Sequence, residues 1–306
     1  MIKALRVFTF LIPFTAHAQY NSVSICSRDT ILSMATNYSL QGEHEQPVVD
    51  NPRPFTFLTH TPGDILQIAK SPFEKNNLKA LGIVAASTAV LLPFDQRITN
   101  TIGKTSQHIG LKPSAEYDRI MGVGVKTLVK WPDNLNSAFY QLGEGTPTLA
   151  VTGLLFIYGK VAKDNRAAQT ASDLVEAYLS MGITVQTLKR ISGRQAPFKA
   201  TVPGGRWQPF PPLSKYQRRT TEYDAFPSGH LATMMATITV LAENYPEKKW
   251  IAPVGYLLTG LTGWSMVNNK VHWASDFPLG IGIGYLAGKL AYKHHRREEF
   301  RREIIL

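Results

Sequence analysis

With a single cysteine, Cys26, in 306 residues, the chain cannot form an intramolecular disulfide. Carboxylates are also scarce: 22 Asp and Glu face 33 Lys and Arg, a formal charge of +11. That balance favours anionic partners, among them nucleic acid, lipid headgroups and phosphorylated small molecules. Strands of alternating β-branched residues are hard to find, which argues against a sheet-based fold. Glycine-rich phosphate loops are missing too. Gly122-Val123-Gly124-Val125-Lys126-Thr127 ends in Lys-Thr but lacks P-loop spacing and a preceding strand, and Gly143-Glu144-Gly145-Thr146-Pro147 reads as the loop before a helix. No clustered Cys, His and carboxylate set has convincing metal-ligand spacing. Basic residues are scattered except in the tail Lys293–Arg302, KHHRREEFRR, where glutamates interrupt them. That tail fits a solvated helix end or a membrane-surface contact, and no nucleic-acid partner is expected.

Long uninterrupted apolar runs are absent as well. A membrane helix needs about 20 consecutive apolar residues. Leu78–Phe94 contains Lys79, Thr148–Gly159 is brief, and Ile251–Val267 is broken by Gly255, Gly260 and Gly263 and by Thr259 and Thr262. The expectation is an exported soluble bundle with buried helices, with an integral membrane protein as the alternative.

What is present begins with an export signal. MIKALRVFTFLIPFTAHAQY has a basic start, an apolar run from Val7 to Phe14, and Ala16-His17-Ala18 at signal-peptidase distance. Cleavage after Ala18 removes Lys3 and Arg6 and leaves a charge of +9, in the periplasm of a bacterial cell. Residues 19–60, rich in Asn, Ser, Pro and Gln, read as an irregular arm. Residues 61–292 read as one helical domain, and 293–306 as a charged tail. Within the domain, apolar periodicity predicts a short helix from Thr61, then helices over Leu78–Phe94, Asp95 to about Ile109, and Pro132–Leu142. Further helices are predicted over Thr148–Ala162, Ala171–Ile191, His230–Asn244, Ile251–Val267 and Pro278–Tyr292. The fold class is all-α. Gly280, Gly284 and Gly288 recur every four residues, a stripe that permits close helix packing.

Three polar clusters interrupt this apolar texture. TLKRISGRQAPF sets Lys189 and Arg194 at the end of a long helix; FPSGHL sets Ser228, Gly229 and His230 at the start of another; VHWASDFPLG sets His272 four residues before Asp276. Together they offer what phosphoryl transfer needs. Its transition state spreads charge over the phosphoryl oxygens, so cations and helix-start N–H groups stabilise it. A histidine suits nucleophilic or proton-transfer work near neutral pH, and a carboxylate on one ring nitrogen leaves the other for attack.

The order Lys-x6-(Arg)-Pro, Pro-Ser-Gly-His, Ser-(Arg)-x5-His-x3-Asp resembles that of the type 2 phosphatidic acid phosphatases, which share a helical core with vanadium haloperoxidases. The resemblance runs over roughly residues 80–292 and is most specific between 189 and 280. It implies an all-helical bundle and a metal-free phosphatase, with no cofactor beyond vanadate as a phosphate mimic. Substrates would be phosphorylated small molecules or lipid phosphates. It assigns His272 as the nucleophile, Asp276 as its orienting partner and His230 as the acid to the leaving group. Lys189, Ser228 and Gly229 would bind phosphate oxygens. Two arginines of the pattern are replaced, by Ala196 and Met266. Arg194 and Lys270 are the nearby cations that could fill their place as phosphate ligands. Without such replacement, the expectation becomes a non-catalytic relative that binds anions or lipid phosphates. Vanadate-dependent halide oxidation is a more distant alternative.

Overall fold

In the computed structural model the structure describes residues 55–303, apart from 114–116 and 124–125, with side chains described outside 114–130 and 295–303. The expected signal segment, Cys26 and most of the expected arm lie outside these residues. Ten helices and one hairpin are described. They are α1 (Thr56–Lys70), α2 (Leu78–Leu91), α3 (Asp95–His108), β1 (Tyr117–Val123), β2 (Lys126–Pro132), α4 (Leu135–Leu142) and α5 (Gly145–Val161). There follow α6 (Asn165–Ser192), α7 (Leu213–Arg218), α8 (Gly229–Asn244), α9 (Ile251–Asn268) and α10 (Phe277–Glu303). The all-α expectation holds, with two differences. The antiparallel hairpin β1–β2 occupies the glycine-lysine stretch around Gly122, and α1 begins inside the segment read as an irregular arm.

Local chemistry explains most helix ends. Asn134 and Ser137 form a reciprocal capping box, so α4 starts after Asn134 rather than at Pro132. Asp164 accepts from Ala167 N–H and starts α6 six residues before the expected Ala171. Gly193 ends α6 at φ 56°, a conformation glycine adopts at little cost. A Cβ there would sit 1.8 Å from the Gln208 carbonyl oxygen.

The core joins α6, α8 and α10, with α1 alongside. Leu174, Ala177, Met181 and Val185 of α6 meet Ala232, Ala236 and Val240 of α8 and Ile283, Ala287 and Leu290 of α10. The predicted glycine stripe faces this seam. A Cβ at Gly280 would meet Ser228 O at 2.4 Å, one at Gly284 Ala232 O at 2.2 Å, and one at Gly288 Thr239 Cβ at 2.8 Å.

The outer helices invert the usual pattern. In α5 the buried residues are Thr148, Thr152 and Gly159, while Leu149, Leu154, Phe156, Ile157 and Val161 are exposed. In α9 Gly255, Thr259, Thr262 and Gly263 face inward, with Val254, Tyr256 and Leu257 outward. No residue of α2 is buried, and the run Lys75–His108 that contains it is long and apolar enough to cross a membrane. The expectation of well-buried helices therefore fails for α2, α5 and α9. In α5 and α9 the apolar residues face outward because glycine and hydroxyl side chains occupy the buried face against neighbouring helices.

Candidate active site

The three sequence clusters converge where the C-terminal end of α6 meets the first turns of α8 and α10. Two backbone links fix this meeting: Ser228 N–H donates to Asp276 O at 2.9 Å, and Ala225 N–H donates to Arg194 O at 3.0 Å. His272 is buried, and its Nδ1 lies 2.7 Å from the Ala225 carbonyl oxygen. A carbonyl only accepts, so Nδ1 carries the proton and Nε2 keeps its lone pair. Burial, together with the Lys189 ammonium, pushes the His272 pKa down to about 3, and the ring is neutral. The His230 ring lies with its centroid 5.7 Å from that of His272, and Tyr140 of α4 packs on His230 at 5.2 Å.

Lys189 is buried in the last turn of α6, and its Nζ is 3.6 Å from Asp224. A Cβ at Gly229 would lie 3.9 Å from that Nζ, so the ammonium stands over the first residue of α8. The helix start and the lysine therefore offer positive potential to one region. Ser228 contributes differently from expectation. Its side chain caps α8, accepting from Leu231 N–H at 3.5 Å, and the residue is fully buried.

Arg194 is the clearest correction. Its guanidinium is fully buried, and each of its five N–H groups has an acceptor. Nη1 donates to Ser275 Oγ at 2.7 Å and Asp276 Oδ1 at 2.5 Å. Nη2 donates to Asp95 Oδ2 at 2.6 Å and Gly204 O at 2.9 Å, and Nε to Gly204 O at 3.3 Å. Trp207 and Trp273 flank it, with the guanidinium carbon 4.7 and 5.5 Å from their ring centroids. No donor remains for a phosphate. Lys270, the other suggested replacement, is exposed, with its backbone at φ 55° and its carbonyl holding Phe198 N–H.

Asp276 also serves a wider purpose than orienting His272. Its Oδ2 accepts from Trp273 N–H at 2.7 Å and lies 3.5 Å from His272 Nδ1, so the Ala225 carbonyl makes the closer contact with the ring. Asp95 was not singled out in the sequence. It accepts from Ser275 N–H at 3.0 Å and Ser275 Oγ at 2.5 Å as well as from Arg194, and it ties α3 to the site. Asp224, Tyr140 and Ala225 were missed for a similar reason: they belong to no spacing rule and meet the histidines only in three dimensions. The positions of the two replaced arginines are closed. Ala196 packs with Ala225 and Trp273, and Met266 is fully buried. Beside Lys189 in the chain, Arg190 has a buried Nη1 without a hydrogen-bond partner.

The family model of the PAP2 superfamily matches residues 170–300, the stretch that holds all three clusters. Over that segment the chain is similar to the PAP2 superfamily. A curated relative, the lipid A 1-phosphatase of Porphyromonas gingivalis, is 38% identical over 73 residues, 24% of this chain and 16% of that protein. The chain thus matches only a small part of that relative's length. Among solved structures, Aquifex aeolicus LpxE is 23% identical, with a TM-score of 0.39 over 52% of this chain and 83% of that one. The transmembrane PAP2 type phosphatidylglycerolphosphate phosphatase of Bacillus subtilis is 14% identical, with a TM-score of 0.42 over 72% of this chain and 96% of that one. The PAP2 segment thus contains α8, nearly all of α10 and all but the first turn of α6, the core helices around the site.

Proposed function

We propose that this chain is a membrane-embedded phosphatase that hydrolyses phosphate monoesters carried on lipids, through a phosphohistidine on His272 and without a catalytic metal. The observation that carries the reading is the orientation of His272: Nδ1–H is held by the Ala225 carbonyl, which leaves the Nε2 lone pair for attack, in a ring 5.7 Å from that of His230 and within the field of Lys189. Nε2 attacks phosphorus as the ester P–O bond breaks, and His230 gives a proton to the departing oxygen. Water then attacks the phosphohistidine, passing a proton to His230. The P–N bond breaks, releasing phosphate and restoring His272. Lys189, with Arg190 next to it in the chain, supplies positive charge, and the Gly229 end of α8 supplies N–H groups. Arg194 holds Asp276 and the loop carrying His272 rather than touching substrate.

Lipid-borne substrates are favoured by the exposed apolar surfaces of α2, α5 and α9, and by the name of the Porphyromonas gingivalis relative. The N-terminal signal supports insertion by the export route, with the site on the periplasmic side. A second reading follows from Ala196 and Met266. With two cations replaced by packed apolar side chains, the pocket would hold a phosphate headgroup without turning it over.

Detergent-purified full-length chain should release phosphate from a lipid phosphomonoester faster than from a soluble aryl phosphate, and His272→Ala should lower turnover by at least roughly 10³-fold. Undiminished release in that variant would rule out the phosphohistidine. Wild-type protein that binds phosphate or vanadate but releases none would establish the binding-only reading. Bromide oxidation with vanadate and peroxide would instead mark a haloperoxidase.

A further inference from the structure

Near the middle of α6, away from Lys189, lies a second polar cluster that the phosphatase reading does not use. Glu176 stands thirteen positions before Lys189, roughly 20 Å along the helix axis at ~1.5 Å per residue. His60 and Asp64 share one face of α1, four residues apart, and His294 comes from α10. His60 Nδ1 is 3.1 Å from Glu176 Oε2, and His294 Nδ1 is 2.9 Å from Glu176 Oε1 and 3.4 Å from Asp64 Oδ1. One ligand atom each from His60, Glu176 and His294 lies within 4.8 Å of the others.

Two observations point to a cation. Asp64 and Glu176 are both buried, which places two carboxylates out of water side by side. Asp64 is fully buried, and its oxygens make no well-aligned hydrogen bond; His294 Nδ1 stands 3.4 Å from Oδ1, and Glu176 is a further charged neighbour. A buried carboxylate left in that state is strongly disfavoured unless a positive centre is near. The spacing also fits. Zinc bound at ~2.0–2.2 Å by imidazole nitrogen and carboxylate oxygen puts tetrahedral ligand atoms about 3.3–3.6 Å apart. Three of the contacts here are 2.9–3.4 Å, and the ligand atoms of His60, Glu176 and His294 all lie within 4.8 Å of one another, so a small adjustment reaches that arrangement.

We propose that His60, Asp64, Glu176 and His294 form a divalent-cation site of the zinc class that fastens α1 and α10 to α6, remote from His272. Two imidazoles and two carboxylates balance a doubly charged ion. Its role is mechanical: α1 precedes the domain core and α10 closes it, and the ion joins both ends of the described chain to the longest helix. A pure ion-pair cluster is the competing arrangement, in which two imidazolium rings neutralise the carboxylates and no metal binds.

Full-length protein purified in detergent without chelator should carry about one zinc per chain by elemental analysis, as expected of one four-ligand site. Chelation should lower its Tm, and added Zn2+ should restore it. His60→Ala/His294→Ala should lose the metal and the chelator response together, while His272→Ala keeps both. Should the double variant fail to fold, Co2+ added to chelated wild type should give the visible absorption of a four-coordinate site. Wild type that holds no metal, shows no Tm response to chelator or Zn2+ and gives no such Co2+ spectrum would overturn the site. So would a double variant that keeps its full zinc content.

Discussion

Arg194 shows how one residue's role depends on what surrounds it. By position it was a cation two places from a vacated phosphate ligand; in the structure two carboxylates, a serine and a carbonyl consume all five of its donors. Removing it leaves Asp95 and Asp276 buried without their cation. Arg194→Ala should therefore cost about 3–5 kcal/mol, read as a lower Tm. Arg194→Lys should not restore it, since one ammonium cannot reproduce a five-donor fork. A variant with normal Tm and only a raised KM would return Arg194 to the phosphate. His272, His230, Lys189 and Asp276 were legible because family motifs have fixed spacing. Asp95, Asp224 and Ala225 were not, because the hydrogen bonds and charges that bind them to the site join residues far apart in the chain, Ala225 to His272 across 47 residues and Asp95 to Ser275 across 180.

Among the elements, the seam between α8 and α10 was readable from the four-residue glycine repeat, and it yields a contrast of sign. Gly284→Ala places a methyl 2.2 Å from Ala232 O, a backbone atom, and should destabilise by about 1–3 kcal/mol. Gly282→Ala, on the same helix, meets only Val84 Cγ2 at 3.6 Å. It should be neutral or stabilise by up to ~1 kcal/mol, because alanine is the better helix former. Thermal unfolding of both variants in detergent tests the pair; equal shifts would mean that the seam is looser than described. Other elements were less legible. The hairpin β1–β2 lacks the alternation that identifies a strand, and the start of α6 was hidden because Asn165–Thr170 is polar and only Asp164 signals the cap.

For the whole molecule, the decisive feature is the direction of apolar side chains. Composition placed the bundle near the boundary between soluble and membrane proteins, and interrupted runs pointed to the soluble side. In the structure those interruptions lie inside: Thr148, Thr152, Gly255 and Thr259 pack inward, and Leu154, Phe156 and Ile157 of α5 and Val254, Tyr256 and Leu257 of α9 remain outside. The full-length chain should remain in the membrane fraction through an alkaline carbonate wash and leave it only with detergent. Release by carbonate alone would restore the soluble bundle.

By itself the sequence determined the helical class, the order of most helices and the choice of His230 and His272 as candidate site residues, since these follow from periodicity of about 3.6 residues and from motifs of fixed spacing. Tertiary structure alone decided which cations are free to meet a phosphate, which way the apolar faces point, and that His60 and His294 meet across Glu176. Those outcomes depend on partners far apart in the chain, and a hydrogen bond or ion pair has meaning only once its second atom has a place.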